Sequence, residues 1–113
     1  MRSDPLLLQD ILQATIDIQE FITGITQEEF IRSKLIRAGV LQKLIVIGEA
    51  TSRLGDEMRQ RHPNVPWREI RDFRNIAVHN YASVDDFIVW QTAVVDCPLL
   101  RRQIDQIICK GMP

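Results

Sequence analysis

The segment R-N-I-A-V-H-N-Y, from Arg74 to Tyr81, gathers an arginine, two asparagines, a histidine and a tyrosine within eight residues. These side chains handle phosphate esters in different ways. A histidine titrating near neutrality can take the proton of a ribose 2′-hydroxyl or return one to a leaving oxygen. A planar guanidinium, charged at every physiological pH, can hold two phosphate oxygens and stabilise the charge that builds on them. An amide and a phenol add hydrogen bonds. Such a set suits cleavage of RNA without a metal ion. A polar cap on a helix end is the plainer alternative, and spacing alone leaves both readings open.

Helical geometry constrains how the set can assemble. Asn75 and His79 are i,i+4 neighbours, so the amide is placed to orient the imidazole. Arg74 lies five residues before His79, about 140° round a helix. The two converge through the length of the arginine, through a distorted helix end, or across two chains. One motif histidine is short of an acid–base pair, which favours two chains sharing a cleft. His62, in "RHPN", is a second candidate but reads as a helix-end turn. Glu49 either faces the cleft or lies on the surface, and the surface is the simpler expectation. Asp72 stands alone, while Asp85 and Asp86 are expected to start a helix. Clustered acidic ligands are therefore absent near the motif, and neither metal nor cofactor is expected.

The net charge of −1 conceals a segregation. Residues 1–30 carry six acids against Arg2 alone, whereas residues 53–74 carry six arginines against four acids. An arginine excess confined to one segment points to a focused anion site, and marks Arg68 and Arg71 as candidate RNA contacts beside the motif. Cys97 and Cys109 are not arranged as a metal site and are expected to be reduced thiols. No apolar run reaches the ~18 residues of a membrane span. The N-terminal stretch is interrupted at Asp10 and Gln13, unlike a signal peptide. A cytoplasmic protein with no membrane partner is the expectation.

The elements that must position these residues all read as helices. Leu7, Ile11, Ala14, Ile18, Phe21 and Ile25 form one stripe, with Pro5 in the first turn and Gly24 as the stop. "TQEE" at Thr26–Glu29 matches a capping box. Val40, Leu44, Ile47, Thr51 and Leu54 form a second stripe that should run to about Arg59, with Ala38-Gly39 as a possible break. Gly48 inside it costs ~1 kcal/mol against alanine, which implies close approach of another helix. "HPNVPW" is a turn, after which Pro66 opens a helix through Trp67, Ile70, Phe73 and Ala77. Ser83 is the expected N-cap of a final helix, kinked or broken at Pro98. No strand pattern or repeat is present. The fold class is all-α, a bundle of four or five helices in one domain spanning 1–113.

"VIGEATSRL" followed by "MRQRHPNVPWREIRDFRNIAVHNYASVDDFIVW" resembles the HepT-like branch of the HEPN superfamily. The likeness covers essentially the whole chain and is strongest between Leu44 and Trp90. That family's signature, R-x4-H-x-Y with a polar residue after the arginine, stands intact as Arg74, Asn75, His79 and Tyr81. "GEA", "PW" and "VD" also fit its pattern. The resemblance implies a homodimeric, metal-independent ribonuclease toxin paired with an MntA-like nucleotidyltransferase antitoxin. Arg74 and His79 would then carry the cleavage and Asn75 would support them. Tyr81 would accept AMP from the antitoxin, the added phosphate competing for Arg74. A non-catalytic HEPN-like subunit that binds nucleotide or recruits a nucleotidyltransferase would carry the same residues.

Overall fold

The computed structural model describes residues 2–110; the ends of the expected 1–113 domain, residues 1 and 111–113, lie outside that range. Helix α1, Asp4–Ile22, has Pro5 in its first turn, where the missing N–H costs nothing. Its predicted stripe is buried at Leu7, Ile11, Ala14 and Ile18. Gly24 ends the run with φ +79°, a conformation open to glycine without strain. Helix α2, Gln27–Arg32, begins with the predicted capping box: Thr26 Oγ1 accepts from the Glu29 N–H at 3.1 Å, and Glu29 accepts from the Thr26 N–H at 2.9 Å.

Helix α3, Lys34–Arg53, is the centre of the molecule, packed against α1 on one side and against the motif-bearing helix on the other. It passes through Ala38-Gly39 unbroken. Phe21 of α1 fills the space a side chain at Gly39 would need, since a Cβ there would sit 3.2 Å from the Phe21 ring. The break falls at Ser33, whose hydroxyl caps α3 through the Ile36 N–H at 3.1 Å.

The second stripe was expected to run to about Arg59, and it stops earlier. Leu54 turns out of the helix with ψ 145°, and the Gly55 N–H donates to Asp4 Oδ1 at 3.1 Å. That bond fastens the turn to the start of α1 and launches the short helix α4, Asp56–Arg61. The 62–66 turn follows, where the His62 carbonyl accepts from Trp67 Nε1 at 3.0 Å. Helix α5, Trp67–His79, then carries the motif.

Beyond α5 lies a 3-10 turn, Tyr81–Ser83, and then helix α6, Asp86–Gln91. Asp85, rather than Ser83, is the N-cap, accepting from the Phe87 N–H at 2.7 Å and the Ile88 N–H at 3.3 Å. Ser83 is occupied in the preceding turn, its hydroxyl donating to the Asn80 carbonyl. Pro98 causes no break. The chain widens into a π-helical segment, Thr92–Asp96, and continues as helix α7, Cys97–Cys109. A proline ring clashes with the carbonyl four residues back. The Cys97 N–H donates to the Thr92 carbonyl five residues back, a wider turn that gives the ring room.

The result is an all-α bundle of four long helical rods, α1, α3, α5 and the continuous α6-to-α7 rod, with α2 and α4 as short connectors. Its core runs from Leu8 and Ile11 through Val40, Leu41 and Ile47 to Val89 and Ile104. Phe30 of α2 is sealed into it, its ring 5.2 Å from that of Trp90. No helix among the described residues is long and apolar enough to cross a membrane.

Candidate active site

Helix α5 seats on α3 at Gly48. A Cβ there would lie 2.1 Å from Arg74 Cβ and 2.6 Å from Arg74 Cγ, so the missing side chain is the space the arginine stem occupies. This is the close approach expected from a glycine inside a helix. The arginine that arrives is then held at its head. Nε donates to Glu49 Oε1 at 3.1 Å, Nη2 donates to the same oxygen, and Nη1 donates to Asn75 Oδ1 at 2.7 Å. A guanidinium has five N–H donors. Three are engaged, and the other two have no partner among the described residues.

The expectation of Glu49 as a plain surface residue is corrected. Its carboxylate is the anchor of Arg74, and the pair is only partly exposed, 27% for the arginine side chain and 40% for the glutamate. A usable signal was present in the sequence. A glycine inside a helix marks where another helix touches, so the residue beside it flanks the contact.

Asn75 also departs from expectation. It was placed to orient His79, four residues on, but its amide oxygen accepts from Arg74. A charged donor makes the stronger hydrogen bond, so the guanidinium wins the amide. His79 is the last residue of α5, exposed, and among the described residues its ring makes no side-chain hydrogen bond. Because α5 stays helical through His79, the 140° offset from Arg74 persists. Arg74 turns toward α3. His79 is open to solvent.

Tyr81 lies elsewhere on the same scaffold. Its ring sits under Arg37 of α3, 6.0 Å from the guanidinium carbon. Arg37 in turn pairs with Asp86 and donates through Nη2 to the Val84 carbonyl at 2.6 Å. Arg37 and Gly48 are eleven residues apart, roughly 16 Å along a helix. The cation over the phenol is Arg37.

Of the basic segment, Arg59 and Arg61 are paired within α4, to Asp56 and Glu57. Arg68 is exposed and Arg71 half-buried, both lining a cleft of about 510 Å³ between α4 and the start of α5. Cys97 is buried, its thiol pushed up to about 12 chiefly by desolvation and secondarily by Asp96, so it is not a nucleophile. Among the described residues no three His, Cys, Asp or Glu side chains are grouped to hold one metal ion.

Residues 11–107 match the family model described as ribonuclease HepT-like. A candidate RNase of Methanocaldococcus jannaschii is 37% identical over 98 residues, spanning 87% of this chain and 90% of the relative. "Probable ribonuclease HepT" of Thermococcus cleftensis is 33% identical, spanning 94% of this chain and 96% of that one. A candidate RNase of Caldanaerobacter subterraneus subsp. tengcongensis is 33% identical over 97% of this chain. No solved structure matches significantly.

Proposed function

From the premise that the chain belongs to the HepT-like ribonucleases of the HEPN superfamily, we propose that it cleaves RNA without a metal ion at Arg74 and His79. Arg74 grips the scissile phosphate with the two N–H donors that Glu49 and Asn75 leave unused. His79 moves the proton of the attacking 2′-hydroxyl or of the leaving oxygen. The observation that carries the reading is the anchored but half-open guanidinium of Arg74, built into the α3–α5 contact at Gly48.

Two copies complete the site in this reading. Arg74 and His79 leave α5 on different flanks, so a substrate that touches both is best enclosed from outside the chain. Support comes from the flank of α5 that α3 does not cover. There, a groove of about 250 Å³ runs between α5 and α7, lined by Ile70, Phe73 and Leu99 over Leu44 and Ile47. Ile76, Val95 and Leu99 are each about half exposed. Large aliphatic side chains in water favour burial against a partner. Arg68 and Arg71 extend the contact to flanking phosphates.

The same reading assigns a nucleotidyltransferase antitoxin as partner and the Tyr81 hydroxyl as its target. An attached AMP adds bulk and negative charge two residues past the histidine. The deciding experiment is an RNA-degradation assay of purified protein with and without EDTA. Activity that survives EDTA and leaves a 2′,3′-cyclic phosphate is the expected outcome. Activity that EDTA abolishes and Mg²⁺ restores would overturn the mechanism. Light scattering should give a dimer at micromolar concentration, and a monomer there would overturn the shared cleft.

A further inference from the structure

One groove of the fold is lined by none of Arg74, Glu49, Asn75 or His79. With a volume of about 990 Å³, it opens between the start of α3 and the Tyr81–Phe87 segment, with Ile31, Lys34, Arg37, Tyr81 and Phe87 among its walls. Its composition is unusual for a bare surface. Ile31 and Phe87 are about half exposed, and Lys34 forms no salt bridge among the described residues. Arg37 is fixed by Asp86 and by the Val84 carbonyl, so one wall is rigid before any ligand arrives. The two acids that line the groove are already engaged, Asp86 by Arg37 and Asp85 by the α6 N–H groups it caps. What remains unengaged is a cation beside an aromatic ring and a branched aliphatic.

We propose that this groove is a nucleotide subsite that takes one nucleoside monophosphate unit, its phosphate on Lys34 and its base against Phe87 and Ile31. The volume suits a ligand of that size. Stacking of a base on an exposed ring and a lysine on a phosphate are the two contacts by which proteins hold single-stranded nucleic acid. Tyr81 forms the end of the groove nearest to His79 in the chain. Two sources can supply the unit: a nucleotide of RNA flanking the scissile bond, or AMP carried on the Tyr81 hydroxyl. The inference rests on the ribonuclease reading for the identity of the ligand, and it makes the AMP phosphate a ligand of Lys34 rather than of Arg74.

The test separates the sources. In the first arm a fluorescein-labelled single-stranded RNA 10-mer is titrated into the His79→Ala protein, which holds but does not cleave it. Adding Lys34→Glu or Phe87→Ala, both at exposed positions, should weaken binding about fivefold or more, with melting temperature and light-scattering mass unchanged. In the second arm, protein co-expressed with the nucleotidyltransferase is first checked by mass spectrometry for AMP on Tyr81. Hydrogen exchange should then slow at residues 34–38 and 84–88 in the modified protein. A loss in the first arm alone assigns the groove to RNA, and protection in the second alone assigns it to AMP. RNA binding unchanged in both variants, together with no protection in modified protein, overturns the subsite. A change of light-scattering mass in Lys34→Glu or Phe87→Ala overturns it in favour of a protein interface. If Tyr81 is never modified, the switch reading fails and the first arm alone decides the groove.

Discussion

Two arginines at α3 are each paired to a carboxylate across a helix contact. Arg37, on α3 itself, reaches out to Asp86 and the Val84 carbonyl, with a side chain only 15% exposed. It ties the 3-10 turn and the start of α6 to the body of the bundle. Arg74, on α5, reaches in to Glu49 and Asn75 and remains 27% exposed. The chemistry of the two pairs is the same. Their surroundings are not, because Arg37 hydrogen-bonds both a side chain and the backbone of the segment leading into α6, whereas α5 is already seated on α3 by Gly48. An arginine relieved of joining duty can be held still and offered to a ligand. Pairing alone therefore does not separate a clasp from a site; what the arginine would leave unsupported does.

Substitution at each arginine probes the contrast at its strongest. Arg74→Ala should reduce RNA cleavage by roughly 10²–10³-fold, as loss of a charge-stabilising donor does, and His79→Ala by roughly 10²–10⁴-fold. Both should melt within a few degrees of the parent. Arg37→Ala should instead lower stability by about 1–3 kcal/mol, the scale of a charged hydrogen-bond network, when measured by urea denaturation. Should Arg74→Ala unfold as readily as Arg37→Ala while still degrading RNA, the two arginines are both clasps.

Gly48→Ala comes next in size. Helix propensity alone predicts a gain of ~1 kcal/mol. The 2.1 Å approach to Arg74 Cβ predicts a loss of roughly 1–3 kcal/mol from overpacking, with cleavage falling as Arg74 shifts. A stabilised, fully active Gly48→Ala protein would mean that α5 does not sit on α3 at that point.

Glu49→Gln should be milder, since the amide oxygen still accepts but the charge-assisted bonds lose about half their strength. Cleavage should fall by about tenfold or less, in kcat more than in KM, with little change in melting. An increase in cleavage would make Glu49 a competitor for the guanidinium rather than its anchor. The smallest effects belong to the Tyr81 region. Asp85→Ala should cost ~1 kcal/mol as the loss of an N-cap, and Ser83→Ala within ~0.5 kcal/mol. Equal costs in thermal melts would return the cap to Ser83.

Much of this was legible in the residues. The stripes of α1 and α3, the Thr26 capping box and the turn at His62–Pro66 follow from period and local chemistry, because a helix face and a cap involve neighbours in sequence. The same holds for Gly48, whose cost inside a helix announces a contact without naming the partner. The misread elements share one trait. The end of α3 depends on Asp4, fifty-one residues before Gly55. The N-cap of α6 depends on Ser83 being taken up by a turn, and the continuity through Pro98 on a π-helical segment.

The side chains of the motif divide the same way. Their types and spacing by themselves determine that an arginine, an amide and a histidine share one helix, and that Arg74 and His79 leave it about 140° apart. Which groups touch is another matter. Local spacing offered Asn75 to His79, yet the amide went to Arg74, because a guanidinium pinned by Glu49 from a different helix was the stronger donor within reach. Spacing placed Tyr81 two residues past His79, yet its ring lies under Arg37, brought there by the fold of α6 onto α3. Periodicity reports which way a side chain leaves its own helix. What it meets is decided by the helix that arrives, and that is a property of packing alone.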